Sequence, residues 1–438
     1  MGIGGKKMER KLYGDMIIPE FKLLKGDCLE TLKQLEDNSI DAVLCDPPYH
    51  LQSIVKRFSA EDAKESQYGK DGLFQRASKG FMGKSWDGGD IAFRTDVWRE
   101  CYRVLKPGGH LVAFGGTRTI HRITCAIEDS GFEIRDQLNW LYFSGFPKSR
   151  NISLDIDKAA GKAETLTGGY CYGTVDKIRR PKLDNVGDGA PKHTPTSEDA
   201  KKWEGWGTAL KPAAEMATLA RKPLEKGLTV AQNVLKWGTG GLNIDKSRFR
   251  YGDSCWVGPD NELKTTTSKG PKFKSAYEQM DNGGFNSPDR EHHIEPNPHG
   301  RWPANIYQCP KPSRAEKEAG LEHLSSITGA ESVGRKEGSA GVNNPRAGAG
   351  RTAAEIKNTH PTVKPVRLFS WLANLICRPG GIILDPFLGS GTTAVSGILE
   401  GFDIIGCELT PEYWPIIEGR VAWAYNSWRD KHRQYKLF

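Results

Sequence analysis

Ile40-Asp41-Ala42-Val43-Leu44-Cys45-Asp46-Pro47-Pro48-Tyr49 is an apolar run that stops at an acid followed by two prolines. The run reads as a buried strand, and the prolines, which cannot continue a hydrogen-bonded ladder, force the chain out of the sheet at Asp46. Upstream, residues 21–24 read as a short strand and 29–35 as a helix. Downstream, Val97, Trp98, Cys101, Tyr102 and Leu105 share one helical face, Pro107-Gly108-Gly109 stops that helix, and residues 110–114 supply the next strand. Residues 118–130 then read as a helix and 132–143 as extended chain. The far end repeats the pattern, with a helix over 365–377, a strand over 382–384, a helix over Thr392–Glu400 and a strand over 403–407. Strands alternating with helices predict an α/β fold with a mostly parallel, doubly wound sheet.

The chain has 438 residues, room for about two to three domains. Its apolar runs stop far short of the roughly 18 residues needed to cross a bilayer, so no membrane partner is expected. The start, Met1-Gly2-Ile3-Gly4-Gly5-Lys6-Lys7, leads into polar sequence without an apolar signal region, and a cytoplasmic location is expected. Lys and Arg number 62 against 54 Asp and Glu, a net charge of +8 that favours an acidic partner such as nucleic acid. The nine cysteines are scattered without a CxxC pair, which suggests neither a disulfide framework nor a cysteine zinc site. His292, His293, His299 and Cys309 fit no common zinc spacing either, and no metal is assigned.

Between the two ordered ends the chain is polar, glycine-rich and irregular. Three parts are expected: residues 15–150, an insertion over 151–350, and 355–438. Residues 213–220 read as a strand or a short helix, and the segment about 205–225 is expected to rejoin the sheet, as a reversed strand. Residues 177–180 form a basic cluster cut short by Pro181, and 334–351 read as a basic loop. Trp203, Trp206, Trp237 and Trp302 lie among lysines and arginines and suit either DNA stacking or the core of a small inserted domain.

A second chemical motif is Asp385-Pro386-Phe387-Leu388-Gly389-Ser390-Gly391-Thr392-Thr393, a strand running through a glycine turn into a helix. Glycines let a ligand approach the backbone, and the helix start offers N–H groups to a carboxylate. The next strand ends in Glu408, where α/β nucleotide sites place an acid for ribose hydroxyls. Without Gly-Lys-Ser/Thr the turn is not a P-loop.

Together these features resemble the amino-group DNA methyltransferases that use S-adenosyl-L-methionine, in the permuted β class whose catalytic motif precedes the cofactor motif. The resemblance rests on Gly26-Asp27, Asp46 to Tyr49, Lys84-Ser85-Trp86-Asp87, Leu105-Lys106-Pro107-Gly108-Gly109, His360-Pro361-Thr362-Val363-Lys364-Pro365, Asp385 to Thr393 and Glu408. Ser144-Gly145-Phe146-Pro147-Lys148-Ser149, Gly207 to Ala213, Ala220 to Leu224 and Arg301-Trp302-Pro303-Ala304-Asn305 are similar to phage and prophage members. One departure is Ala214-Glu215-Met216, where relatives often have Glu-Pro.

The resemblance implies a Rossmann-like methyltransferase sheet with an inserted target-recognition region, much of it within 226–350, acting on double-stranded DNA. It implies Asp46, Pro47, Pro48 and Tyr49 as catalytic residues. Asp27, Asp46, Thr362, Lys364, Asp385, Phe387, Gly389, Ser390, Gly391, Thr392 and Glu408 are implied as the binding set for S-adenosyl-L-methionine. Glu408 would meet the ribose, Asp27 the adenine amine, and Thr362 and Lys364 the methionine end; Asp27 and Glu408 also read as helix caps or loop acids. A homodimer is compatible with the family.

The chemistry explains the residue types. An exocyclic base amine is a poor nucleophile because its lone pair is delocalised into the ring, so the nitrogen must be oriented. Asp46 can accept one N–H and the Pro47 carbonyl the other, which turns the lone pair toward the donor methyl. Tyr49 would stack on a base flipped out of the duplex. The resemblance also implies the base: in that family aspartate at the position of Asp46 favours adenine N6, with cytosine N4 as the alternative. RNA and protein-glutamine methyltransferases usually carry Asn-Pro-Pro-Tyr in the unpermuted order, and a non-catalytic DNA-binding protein need not keep both motifs.

Overall fold

The structure, a computed structural model, describes residues 12–13, 16–49, 90–145, 149–162, 194–258, 266–268, 292–294, 298–328, 331 and 355–434. The Lys84-to-Asp87 motif, Phe146-Pro147-Lys148, residues 177–181 and the basic stretch 334–351 lie outside the described residues.

Eight strands form the main sheet: β1 (Phe21–Lys25), β2 (Ile40–Cys45), β3 (Leu105–Gly115), β4 (Glu133–Leu141), β5 (Ala214–Arg221), β6 (Ile306–Gln308), β7 (Ile382–Asp385) and β8 (Asp403–Glu408). Their order across the sheet is β6-β4-β5-β3-β2-β7-β8-β1. Only β5 runs against its neighbours β3 and β4; every other adjacent pair is parallel. The helices include α1 (Thr95–Val104), α2 (Ile120–Glu128), α3 (Val366–Ile376), α4 (Thr392–Glu400) and α5 (Trp414–Gln434). None of the described helices is long and apolar enough to cross a membrane.

β2 shows why its sequence is apolar without a break. Successive strand side chains point to opposite faces. Ala42 and Leu44 belong to one core, with Phe369, Leu372 and Ile376 of α3 and Val395 and Ile398 of α4. Val43 and Cys45 belong to the other, with Val97, Trp98 and Cys101 of α1 and Ile123 and Ile127 of α2. A strand covered on both faces has no position left for a polar pattern.

Several expected boundaries shift. The stretch 29–35 divides into an α-turn, Cys28–Thr31, and a 3₁₀ turn, Leu32–Gln34. α1 ends at Val104, before the Pro107-Gly108-Gly109 expected to stop it, and β3 begins at once. The β2–β3 register jumps from Ile40/Leu105 to Ala42/His110, so Lys106 to Gly109 bulge from the ladder.

Contacts group the chain into two compact units. Phe143–Ala213 forms one compact unit, and Met1–Tyr142 with Ala214–Phe438 forms the other. The physical reason is burial: β5 and β6 pair into the sheet, and Phe249, Cys255, Tyr307, Cys309 and Leu321 enter the core that packs on α3. Within the smaller unit, the buried Asp157 accepts bonds from the backbone N–H groups of Thr196 and Ser197, and Trp203 packs edge-on to Trp206.

Candidate active site

Parallel strands bring their carboxyl ends to one edge, where open α/β sheets bind ligands. β2 delivers Asp46 there, β7 delivers Asp385, and β8 delivers Glu408. The reversed strand β5 begins at the same edge, so its second residue, Glu215, joins the site from the opposite chain direction.

At this edge Asp46, Tyr49, Glu215 and Lys364 form one hydrogen-bonded cluster. The Lys364 ammonium donates to Asp46 Oδ2 and, at 3.1 Å, to the Tyr49 hydroxyl. It also lies 3.3 Å from Glu215 Oε2. The Tyr49 hydroxyl is 3.0 Å from both Asp46 Oδ1 and Glu215 Oε2. At the rim, Lys311 Nζ lies 3.6 Å from Glu215 Oε1 and 4.2 Å from the centre of the Tyr142 ring. Tyr49 is fixed further by Thr119, whose hydroxyl donates to its carbonyl at 2.9 Å. Gly116 faces its ring so closely that a Cβ there would come within 3.1 Å.

These contacts set the ionisation of the cluster. Burial pushes Asp46 above the ordinary carboxylate value; Lys364 opposes that rise and the Glu215 charge adds to it. Burial alone would lower Lys364, but Asp46 and Glu215 outweigh it and hold the ammonium above its ordinary value. Burial likewise raises Glu215, yet Lys364 and Lys311 together bring it below the usual range. The Tyr49 phenol is held far up by burial and by both carboxylates.

The glycine turn lies beside this cluster. Gly389, at φ +55°, and Gly391, at φ +80°, occupy left-handed backbone that suits glycine. A Cβ on Gly389 would come within 2.8 Å of His360 Nε2. Glu408 accepts from Gly389 N–H and Thr410 N–H, each at 2.7 Å. Burial raises its pKa against those two bonds and a third from the Thr410 side chain. Asp385 accepts from the Thr393 hydroxyl and, at 2.9 Å, from Phe387 N–H. Burial pushes its carboxyl up to about 7.

The expected residues divide by what they touch. Asp46, Tyr49 and Lys364 meet directly, with Pro47 and Pro48 ending their strand. Phe387 lies half-buried beside Trp98, their ring centres 6.1 Å apart. Ser390 and Thr392 turn inward: Arg420 Nη1 donates to the Ser390 carbonyl at 2.6 Å and its hydroxyl at 3.1 Å, and lies 3.3 Å from Thr392 Oγ1. Thr362 donates its N–H to His360 Nδ1 at 3.3 Å. Asp27 caps the turn Cys28–Thr31, accepting from Leu29 N–H at 2.8 Å. It follows β1, whose Lys25 lies opposite Glu408.

Sequence reading gave no role to Glu215, Lys311 or Arg420. The acid in the departing triplet Ala214-Glu215-Met216 was the available signal for the first. Lys311 and Arg420 carried none.

The family described as DNA methylase, of the N6/N4 methyltransferase type, matches residues 40–419. The chain is 23% identical over 419 residues to the Type II methyltransferase M.HindIII of Haemophilus influenzae, covering 92% of this chain and 96% of that one. It is 31% identical over 134 residues to the Type II methyltransferase M.HpaI of Haemophilus parainfluenzae, covering 30% and 35% of the two chains. Among solved structures, the PvuII DNA methyltransferase, cytosine-N4-specific, aligns at 16% identity and TM-score 0.41 over 94% of this chain and 95% of that one. The M1.HpyAVI–SAM complex aligns at 13% identity and TM-score 0.35, covering 92% and 100%.

Proposed function

Because this chain belongs to the DNA methylase family of N6-adenine and N4-cytosine methyltransferases, we propose that it methylates adenine N6 in double-stranded DNA, using S-adenosyl-L-methionine and a flipped-out base. The observation that carries this reading is the position of Asp46 at the end of β2, directly beside the β7 strand that leads into the glycine turn.

The residues of the turn fit such a cofactor. Gly389 leaves open the space that a Cβ would fill against His360. Glu408 accepts from the Gly389 and Thr410 backbone N–H groups and from the Thr410 side chain, and a carboxylate with about four lone-pair sites keeps acceptor capacity for a ribose diol. The half-buried ring of Phe387 offers an apolar face. When bound, the cofactor supplies an electrophilic methyl group on a sulfonium.

The chain's own residues orient the base. Asp46 accepts one amine N–H, and the Pro47 carbonyl, held at the strand end, accepts the other. Each Asp46 oxygen has two lone pairs, so the carboxylate can take the amine while keeping a cluster contact. The low-dielectric surroundings strengthen both bonds.

The order of the two motifs supports placement in the permuted β class, since Asp46 precedes Asp385 in the chain although their strands are neighbours. The middle motifs support a phage-like lineage, and a bacterial or phage-infected cytoplasm is the setting we infer. The substrate class is tested by offering duplex DNA, RNA and protein separately with methyl-labelled S-adenosyl-L-methionine. Label in DNA alone is expected; label in RNA or protein alone would overturn the assignment.

A further inference from the structure

We propose that Glu215 is a positioning residue of the methyl-transfer site: from the reversed strand β5 it holds the Tyr49 hydroxyl and the Lys364 ammonium, leaving Asp46 able to turn to the target amine. The inference rests on the methyltransferase reading above.

Lys364 has three N–H donors and three oxygens within reach: Asp46 Oδ2, the Tyr49 hydroxyl at 3.1 Å and Glu215 Oε2 at 3.3 Å. Tyr49 has one O–H donor facing two carboxylate oxygens, both at 3.0 Å. Glu215 Oε2 therefore touches the same two groups that hold Asp46. Without Glu215, the charge of Lys364 would rest on Asp46 alone, and an approaching amine would compete with a buried ammonium for its only counter-ion. With Glu215, Lys364 and Tyr49 keep a partner while Asp46 shifts its contacts. Lys311, 3.6 Å from the other Glu215 oxygen, steadies that carboxylate from the rim.

The charges have a measurable consequence. The groups that act on Asp46 are Lys364, Glu215 and Tyr49, with Asp385 on the neighbouring strand and Cys45 beside it in the chain; Lys364, Lys311 and Tyr49 act on Glu215, which in turn raises Tyr142. Glu215 raises the Asp46 carboxyl by like-charge repulsion. Neutralising Glu215 therefore lowers the Asp46 pKa, whereas loss of mere scaffolding would not move it in that direction.

The test uses the full chain carrying Glu215→Gln, which keeps shape and removes charge. The Asp46 carboxyl is titrated in cofactor-free protein by infrared difference against Asp46→Asn. The expected result is a shift of the Asp46 titration to lower pH than in the wild type. In turnover, kcat should fall about 10- to 100-fold with KM for DNA nearly unchanged, and the acid limb of the kcat profile should move to lower pH. An unmoved Asp46 titration, or a kcat equal to that of the wild type, overturns the proposal. Should Glu215→Gln fail to fold, Glu215→Asp replaces it: a wild-type Asp46 titration with reduced kcat supports the proposal, and wild-type values of both overturn it. Because the titration needs neither cofactor nor DNA, an inactive wild-type protein would count against the methyltransferase reading alone.

Discussion

Asp46 and Lys364 stand 318 residues apart in the chain and meet as an ion pair at the carboxyl edge of the sheet. Their side chains are 17% and 6% exposed, so water screens little of the attraction. The pairing follows from the strand order: β2 and β7 are neighbours although most of the chain separates them, and Lys364 immediately precedes Pro365 at the start of α3. Thr392, at the start of α4, has its hydroxyl 3.5 Å from the Lys364 carbonyl and so ties this lysine to the glycine turn.

Asp46→Ala should abolish methyl transfer, by at least about 100-fold in kcat, while S-adenosyl-L-methionine binding is largely kept. On the proposed function the carboxylate serves the base amine more than the cofactor. Calorimetric cofactor binding alongside single-turnover transfer measures both, and equal losses would contradict that ranking.

Lys364→Met leaves Asp46 and Glu215 together without the cation between them. Breaking such a buried pair should lower stability by about 3–5 kcal/mol near pH 8. Lys364 holds Asp46 down, so its removal raises the Asp46 pKa further, and residual activity should fail at higher pH than in the wild type. Denaturant titration and a pH–rate profile check the two effects.

Asp385 gives a pH dependence of the opposite sense to a salt-bridged acid. Its carboxyl, ordinarily near 3.8, is pushed to about 7 in the folded chain. Between these values the native state binds a proton that the unfolded state has released. Stability therefore falls as pH rises from about 4 to about 7, then levels, by on the order of 4 kcal/mol. Asp385→Asn should flatten this part of the stability curve; an unchanged slope would show that the group does not titrate there.

Gly389→Ala should weaken cofactor binding and cost about 1–2 kcal/mol of stability, since alanine is disfavoured at φ +55°. Its Cβ would also press on His360, whose ring packs edge-on to Tyr413 with centres 4.7 Å apart. Thermal unfolding and cofactor titration of the variant give both quantities.

The catalytic sheet was legible where burial on both faces leaves a continuous apolar run that ends at a chemical residue. β2 before Asp46, β7 before the glycine turn and β8 before Glu408 all have that form. β6 was not legible because three residues, Ile306–Gln308, carry too little period to distinguish a strand. Residues 213–220 were readable as a strand or a helix; the ladders to β3 and β4 settle it as a strand, with Met216 opposite Gly115 and Asn139. Glu215 received no role because its partner Tyr49 is 166 residues away and reversed pairing leaves no local trace. Arg420 reaches Ser390 across 30 residues from within α5, where its sequence neighbours say nothing of the contact. Local pattern thus marks the strands that end at Asp46, at the glycine turn and at Glu408; the parts of the site made by long-range pairing need the fold.

The most direct test is to incubate the purified protein with unmethylated duplex DNA and labelled S-adenosyl-L-methionine, digest to nucleosides and identify the product by mass spectrometry. Labelled N6-methyladenine is the predicted result. N4-methylcytosine would contradict the base assignment, and no labelled nucleoside despite cofactor binding would contradict DNA as the substrate.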